Sequence, residues 1–238
     1  MEAEIEKKRI RSVYAQRDAG GKPKLYSWYQ PDVLLNKYRF QVIASSMLTE
    51  NRINNLKDIK VLDIGCGYGN WLRMLLEWGA KLENLHGVDL LVDRIKLARK
   101  LNPGIDYQIA SGFSLPFIDS CIDLVSVNTV FSSILNPKFR MSFANEMKRV
   151  LKSDGIIMIY DFRISHPKNP NTVSLRKSEI QRLFPFYNIK SRSLILAPPI
   201  ARVIAPISYL IAELIECFFP FLRTHTIYLI KKNNTIKT

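Results

Sequence analysis

The chain is poor in cysteine and histidine, with three of each among 238 residues. Cys66, Cys121 and Cys217 are scattered and odd in number. They fit neither a disulfide framework nor a zinc cluster, which predicts a reducing, cytoplasmic setting and no bound metal. Crossing a bilayer as a helix takes about 20 consecutive apolar residues. The most apolar stretch, 198–223, is interrupted by Arg202, Glu213 and Glu216. The opening residues Met1–Lys8 have no apolar centre, so they do not read as a secretory signal. No internal repeat is visible, which argues against a solenoid. Acidic residues are scarce, 21 against 35 lysines and arginines, leaving a formal charge of +14. That excess suits RNA, an anionic membrane surface or a phosphorylated substrate, and equally an ordinary solvated basic surface.

Against these absences stands one dense run, Val61-Leu62-Asp63-Ile64-Gly65-Cys66-Gly67-Tyr68-Gly69. Apolar β-formers lead into an acid, three glycines alternate with other residues, and Trp71-Leu72-Arg73-Met74-Leu75-Leu76 follows with helical spacing. A strand, a tight turn and a helix are predicted. A second strand follows, ending in His86-Gly87-Val88-Asp89. A carboxylate there can accept both hydroxyls of a ribose diol. The dinucleotide pattern Gly-x-Gly-x-x-Gly fails, because its third glycine, counted from Gly65, falls on Asn70. No Gly-Lys-Ser/Thr follows the loop, so a P-loop is excluded.

The remaining pattern, Asp-x-Gly-x-Gly-x-Gly over 63–69, resembles motif I of the class I S-adenosylmethionine (SAM)-dependent methyltransferases. Three further stretches resemble the same family in the same order: Asp89 as the ribose acid, Leu115-Pro116-Phe117 with Asp119 and Asp123-Leu124-Val125, and Val150-Leu151-Lys152-Ser153-Asp154-Gly155. Together they cover roughly residues 55–165, and several motifs in order carry more weight than one glycine loop. The resemblance implies an α/β fold. It would be a Rossmann-like seven-stranded sheet, mostly parallel with an antiparallel last strand, and helices on both faces. It also implies SAM as cofactor, S-adenosylhomocysteine as product, and no metal.

Hydrophobic patterning divides the chain in a compatible way. Residues 1–58 form an N-terminal helical cap, with a helix after Pro31 and an aromatic cluster of Tyr26, Trp28 and Tyr29 before it. The core, 59–197 and 224–233, alternates strands and helices. Strands are predicted at 60–64, 84–89, 106–110, 122–128 and 155–162, then near 189–197 and 225–232. Helices are predicted at 70–79, 92–101 and 137–151, then near 175–183. Strongly apolar strands in alternation with helices mean a parallel sheet covered on both faces. Residues 198–223 are an insertion too apolar for a surface loop. They read as a lid closing on the cap or as an element lying in a membrane surface. Ile204, Ile207, Leu210, Ile211, Leu214 and Phe218 recur at helical spacing, so the lid reading expects them buried against the cap.

The resemblance places Asp63, Gly65, Cys66, Gly67, Asp89, Leu90, Ser111, Gly112, Phe113 and Asn128 at the cofactor. Asp63 would orient the glycine loop and meet the amino group of SAM. Ser111 stands where the family commonly carries an acid facing the adenine amino group, so charge is missing there. The fourth strand ends Ser126-Val127-Asn128-Thr129-Val130-Phe131. It is not Asn/Asp-Pro-Pro-Tyr/Phe, which disfavours methylation of an exocyclic adenine or glutamine nitrogen. It also lacks the Pro-Cys pair of a cysteine-based pyrimidine methylating enzyme. A hydroxyl nucleophile needs a base. Asp161 at the tip of the fifth strand and His166 just beyond are the candidates, with a salt bridge or a cap as the alternative for Asp161. Tyr14, Tyr26 and Trp28 are candidates for the site wall. The reading is an O-methyltransferase acting on a small-molecule, glycan or lipid-linked acceptor, with peripheral membrane contact open. The 220–225 segment and the Tyr-Ser-Trp of the cap look like stand-alone methyltransferases of bacterial glycan or lipid assembly. An RNA methyltransferase is the alternative that +14 suggests, although the basic residues are spread and no separate RNA-binding module is seen.

Overall fold

A computed structural model describes residues 2–19, 30–165 and 169–233. Two helices come first, α1 (Glu2–Ala19) and α2 (Pro31–Glu50). The core follows as β1 (Val61–Ile64), α3 (Asn70–Glu77), β2 (Leu85–Asp89), α4 (Val92–Leu101), β3 (Asp106–Ile109), β4 (Ile122–Asn128), α5 (Pro137–Val150), β5 (Leu151–Phe162), α6 (Lys177–Leu183) and β6 (Tyr187–Leu196). The insertion contributes α7 (Pro198–Ile204), α8 (Tyr209–Phe218) and a short 3₁₀ turn, and β7 (Arg223–Lys232) closes the sheet.

The sheet has seven strands in the order β3-β2-β1-β4-β5-β7-β6. The first five run parallel, while β7 is antiparallel to both its neighbours, as expected of the last strand. Neighbouring strand residues alternate between two cores. Val61, Leu124, Ile156 and Met158 face the side covered by α2, α3 and α4. Leu62, Val125, Ile157 and Ile159 face the side covered by α5 and α6. Helices on both faces follow from strands that are apolar on both sides.

The boundaries of α4 and β4 coincide with the expected ones, and most others shift by a residue or two. Strand β5 starts earlier, at Leu151. Leu151 pairs with Ile122, then the register slips before Ile156 meets Leu124, so the Lys152–Gly155 turn is a bulge inside the strand. The Leu115–Phe117 stretch is clasped by α5. Glu146 accepts from Leu115 N at 2.8 Å, and Arg149 donates to the Phe117 and Leu115 carbonyls and to Asp119. Helix α1 has no apolar periodicity strong enough to predict it, and its placement comes from polar anchors described below.

The insertion packs on α2 and β6. Ala201, Ala205 and Ala212 form its inner face with Leu35 and Leu196. Here the expectation is corrected. Of the helically spaced apolar set, Ile207, Leu210, Ile211, Leu214 and Phe218 face outward, and Ile204 is half-buried. Small alanines fit close against α2, so the large side chains are left on the other side.

Candidate functional site

The C-terminal ends of β1, β2, β3 and β4 converge on a cavity of about 460 Å³. Open parallel sheets collect ligands at this edge. Four loops supply most of the wall: Gly65 and Tyr68 after β1, Asp89–Leu91 after β2, Ala110–Phe113 after β3, and Asn128–Val130 after β4. Helix α1 covers one side with Ile10 and Tyr14. It is tied down by polar contacts to the turn after β4. The Tyr14 and Ser133 hydroxyls share a hydrogen bond of 2.9 Å, and Leu135 N donates to Glu6 at 3.2 Å. Arg9 holds Glu6 and donates to the Ser133 carbonyl.

The glycine loop is left-handed at three points, with φ of 76° at Gly65, 56° at Gly67 and 75° at Gly69. Gly65 N and Cys66 N donate to the Val88 carbonyl at 2.7 and 3.0 Å, which staples the loop to β2. A Cβ on Gly69 would overlap the Tyr107 hydroxyl. Gly69→Ala is therefore expected to cost at least about 1–2 kcal/mol of stability from left-handed strain alone, read by thermal denaturation. A Cβ on Gly67 would meet nothing within 4 Å, so the backbone there borders open space. Thr129, at the tip of β4, also holds a positive φ of 56°, a strained value for a β-branched residue at a cavity wall.

Asp89 couples two loops. One oxygen accepts from Gly67 N and the other from Leu91 N, each at 2.9 Å. Each oxygen retains a further lone pair toward the cavity. Behind the wall, Asp63 accepts from Ser126 Oγ at 2.9 Å and Asn128 Nδ2 at 3.2 Å. Burial pushes its carboxyl up to about 7. The two hydrogen bonds oppose that rise and the charge of Asp89 adds to it. Asn128 stands between Asp63 and the cavity, and its Oδ1 has no hydrogen-bond partner. A buried acceptor without a donor is costly, so a donor from a ligand would be favoured at that point. Ser111 Oγ accepts from Phe113 N at 3.3 Å. The Phe113 ring rests on Phe139 and Phe143 at 5.7 and 6.0 Å between centroids.

Of the sequence-predicted residues, Gly65, Asp89, Leu90, Ser111, Gly112, Phe113 and Asn128 meet at the cavity. Asp63 and Gly67 stand one layer behind, bonded to Asn128 and Asp89 respectively. Cys66 Sγ turns into the core beside Gly87 and Tyr107, and burial pushes its thiol far up. Asp161 is 0% exposed and is not part of the cavity wall. Its carboxylate accepts from Ser132 N at 3.1 Å and Phe162 N at 2.7 Å, and burial pushes it up to about 6. His166 lies outside the described residues, as do Tyr26 and Trp28. Sequence reasoning missed Arg94, whose guanidinium lies over the Tyr14 ring at 4.6 Å and the Tyr68 ring at 5.5 Å. No motif marks it, since α1 brings Tyr14 there only in three dimensions.

Residues 62–159 match the family described as "Methyltransferase domain", a span that contains every cofactor-loop residue above. These residues form a methyltransferase domain similar to those of the class I SAM-dependent methyltransferases. A ubiquinone/menaquinone biosynthesis C-methyltransferase, UbiE, of Campylobacter jejuni is 27% identical over 110 residues, 44% of this chain and 46% of the relative. The chain thus spans about half the length of that relative. An uncharacterized protein of Methanocaldococcus jannaschii is 27% identical over 206 residues, 79% of this chain and 80% of its own. The geranyl diphosphate C-methyltransferase of Streptomyces coelicolor A3(2) shares the fold, with a TM-score of 0.59, 15% identity, and coverage of 87% and 86% of the two chains. It was solved with Mg²⁺, geranyl diphosphate and S-adenosylhomocysteine. The family implies SAM. The methyltransferase loops fit it on three counts: the unpartnered Asn128 Oδ1, the open space over Gly67, and a carboxylate with free lone pairs at Asp89.

Proposed function

We propose that this methyltransferase transfers the methyl group of SAM to oxygen on a small-molecule, glycan or lipid-linked acceptor with an apolar ring or chain. The observation that carries the reading is the closure of the cavity by α1. Beyond the four loops its wall is made by Ile10, Ile134 and Phe143, an apolar surface beside the strand tips. When bound, SAM would supply an electrophilic sulfonium methyl group, with S-adenosylhomocysteine as the leaving group. Asp89 would hold the ribose hydroxyls, and Asp63 with Asn128 would hold the amino group. Ser111 and Phe113 flank the adenine, with Ser111 offering an uncharged contact. We assign Asp161 a positioning role: its bonds to Ser132 N and Phe162 N fix the turn whose next residue, Ser133, anchors Tyr14. Ile10 and Tyr14 keep water from the methyl group, which matters because the charge of the sulfonium disperses in the transition state.

Methylation at carbon is the second reading, supported by the C-methyltransferases among the relatives. An acceptor with an ionised ring or enol hydroxyl serves either outcome, because the charge is shared between oxygen and the neighbouring carbon. Turnover of methyl-labelled SAM against lipid, small-molecule, glycan and RNA fractions tests the reading. Label is expected in the lipid, small-molecule or glycan fraction, and carbon NMR of the product separates O-methyl from C-methyl. Label confined to one folded RNA would overturn it.

A further inference from the structure

Helix α8 is amphipathic in the inverse of the usual sense. Its acids face the protein. Glu216 is 1% exposed and accepts from Arg39 at 3.2 Å, with Arg223 at 3.8 Å. Glu213 reaches the same Arg39 at 3.8 Å. The outer face carries Leu210, Ile211, Leu214 and Phe218, the last 72% exposed. Ile207, before the helix, is 73% exposed, and Phe221 after it continues the surface. Leu34, Tyr38 and Val42, one turn apart on the supporting helix α2, are exposed as well. An exposed apolar stripe such as that of α8 marks a contact site rather than solvent.

We propose that this face docks on an anionic lipid bilayer, with α7, α8 and the 220–222 turn seated at the headgroup boundary. No described helix is long and apolar enough to cross a membrane, so the contact is with its surface. Of the acids that would repel anionic lipid, Glu216 is buried and Glu213 is partly covered, and both pair with Arg39. Two arginines stand at the rim: Arg202 on α7, exposed and ion-paired with Asp32 at 3.6 Å, and half-buried Arg163, which donates to the Pro220 carbonyl at 3.1 Å. The whole chain carries +14. That charge is attracted to an anionic leaflet and opposes pairing of two copies through the same patch. Tyr209, with a polar hydroxyl on an apolar ring, suits the headgroup boundary, and Phe218, Phe219 and Phe221 add apolar area to the face. The insertion also joins the C-terminal end of β6 to the start of β7, on the same sheet edge as the cavity. Docking therefore brings the methyl-transfer edge to the bilayer. That last consequence alone rests on the proposed function.

Co-sedimentation of the full chain with vesicles tests the docking. Phosphatidylcholine vesicles with and without phosphatidylglycerol are compared, for wild type and for the triple variant Leu210→Ser, Leu214→Ser, Phe218→Ser. Wild type is expected to partition to the phosphatidylglycerol vesicles, and the triple variant to lose about tenfold or more of that partition. Its thermal midpoint should hold, because the three side chains face outward. Three results would overturn the proposal: unchanged partition in the triple variant, equal partition to both vesicles, or a wild-type dimer that the triple variant dissolves without any vesicle binding. Calorimetric titration with SAM, run on the same samples, reports on the cofactor site separately, so failure of that reading is visible apart from failure of the docking.

Discussion

Asp89→Ala should weaken SAM binding by at least about tenfold, or 1.4 kcal/mol. The side chain does two things at once. Its outer lone pairs face the cavity, where a ribose diol would meet a charged acceptor, and hydrogen bonds to charged groups contribute about 1.5–3 kcal/mol each. Its inner lone pairs hold Gly67 N and Leu91 N, both at 2.9 Å, so alanine also releases the two loops from one another. Asp89→Asn separates the effects. The amide oxygen can keep one backbone donor while the charge is gone, so an intermediate affinity is expected. Isothermal calorimetry reads both, and an unchanged affinity in Asp89→Ala would remove the ribose role.

The second large effect is a pH dependence of cofactor binding through Asp63. Burial pushes this carboxyl up to about 7 in the free protein. A cationic amino group held through Asn128 would favour the ionised form. A group with a pKa near 7 is about a tenth ionised at pH 6 and about nine tenths at pH 8, so affinity should rise about tenfold across that interval. Asp63→Asn should flatten the profile and bind SAM weakly throughout. The sign for stability is the opposite. The folded value lies above the unfolded value of about 3.9, so the native chain holds the extra proton between the two, and stability falls as pH rises through that window. Asp161, pushed up to about 6 by its burial, contributes in the same direction. The cofactor-free Asp63→Asn protein should therefore melt higher than wild type at pH 8. A wild-type affinity that is level from pH 6 to 8 would place the ammonium contact elsewhere.

Much of this molecule could be read before it was seen. The glycine loop, Asp89 and the four strands β1 to β4 lie where local pattern put them, because each depends on neighbours in sequence. A left-handed turn favours glycine, and a strand buried on both faces is apolar through most of its length. The seven-stranded sheet and its antiparallel last strand followed from motifs that a family shares. Contacts between distant segments were not legible. Nothing near Asp161 indicates that its carboxylate is enclosed by the 131–133 turn, or that Cys66 in the cofactor motif turns into the core. Helix α1 has little apolar periodicity, yet Glu6, Arg9 and Tyr14 fasten it across the cavity, since hydrogen-bond partners more than a hundred residues away leave no mark on local spacing. The insertion shows the division most plainly. Its sequence determined an apolar stripe at helical spacing. Only the tertiary structure decided which side of the stripe is covered, because buried Glu216 needs Arg39 and small alanines need a close neighbour, and α2 supplies both on the same face.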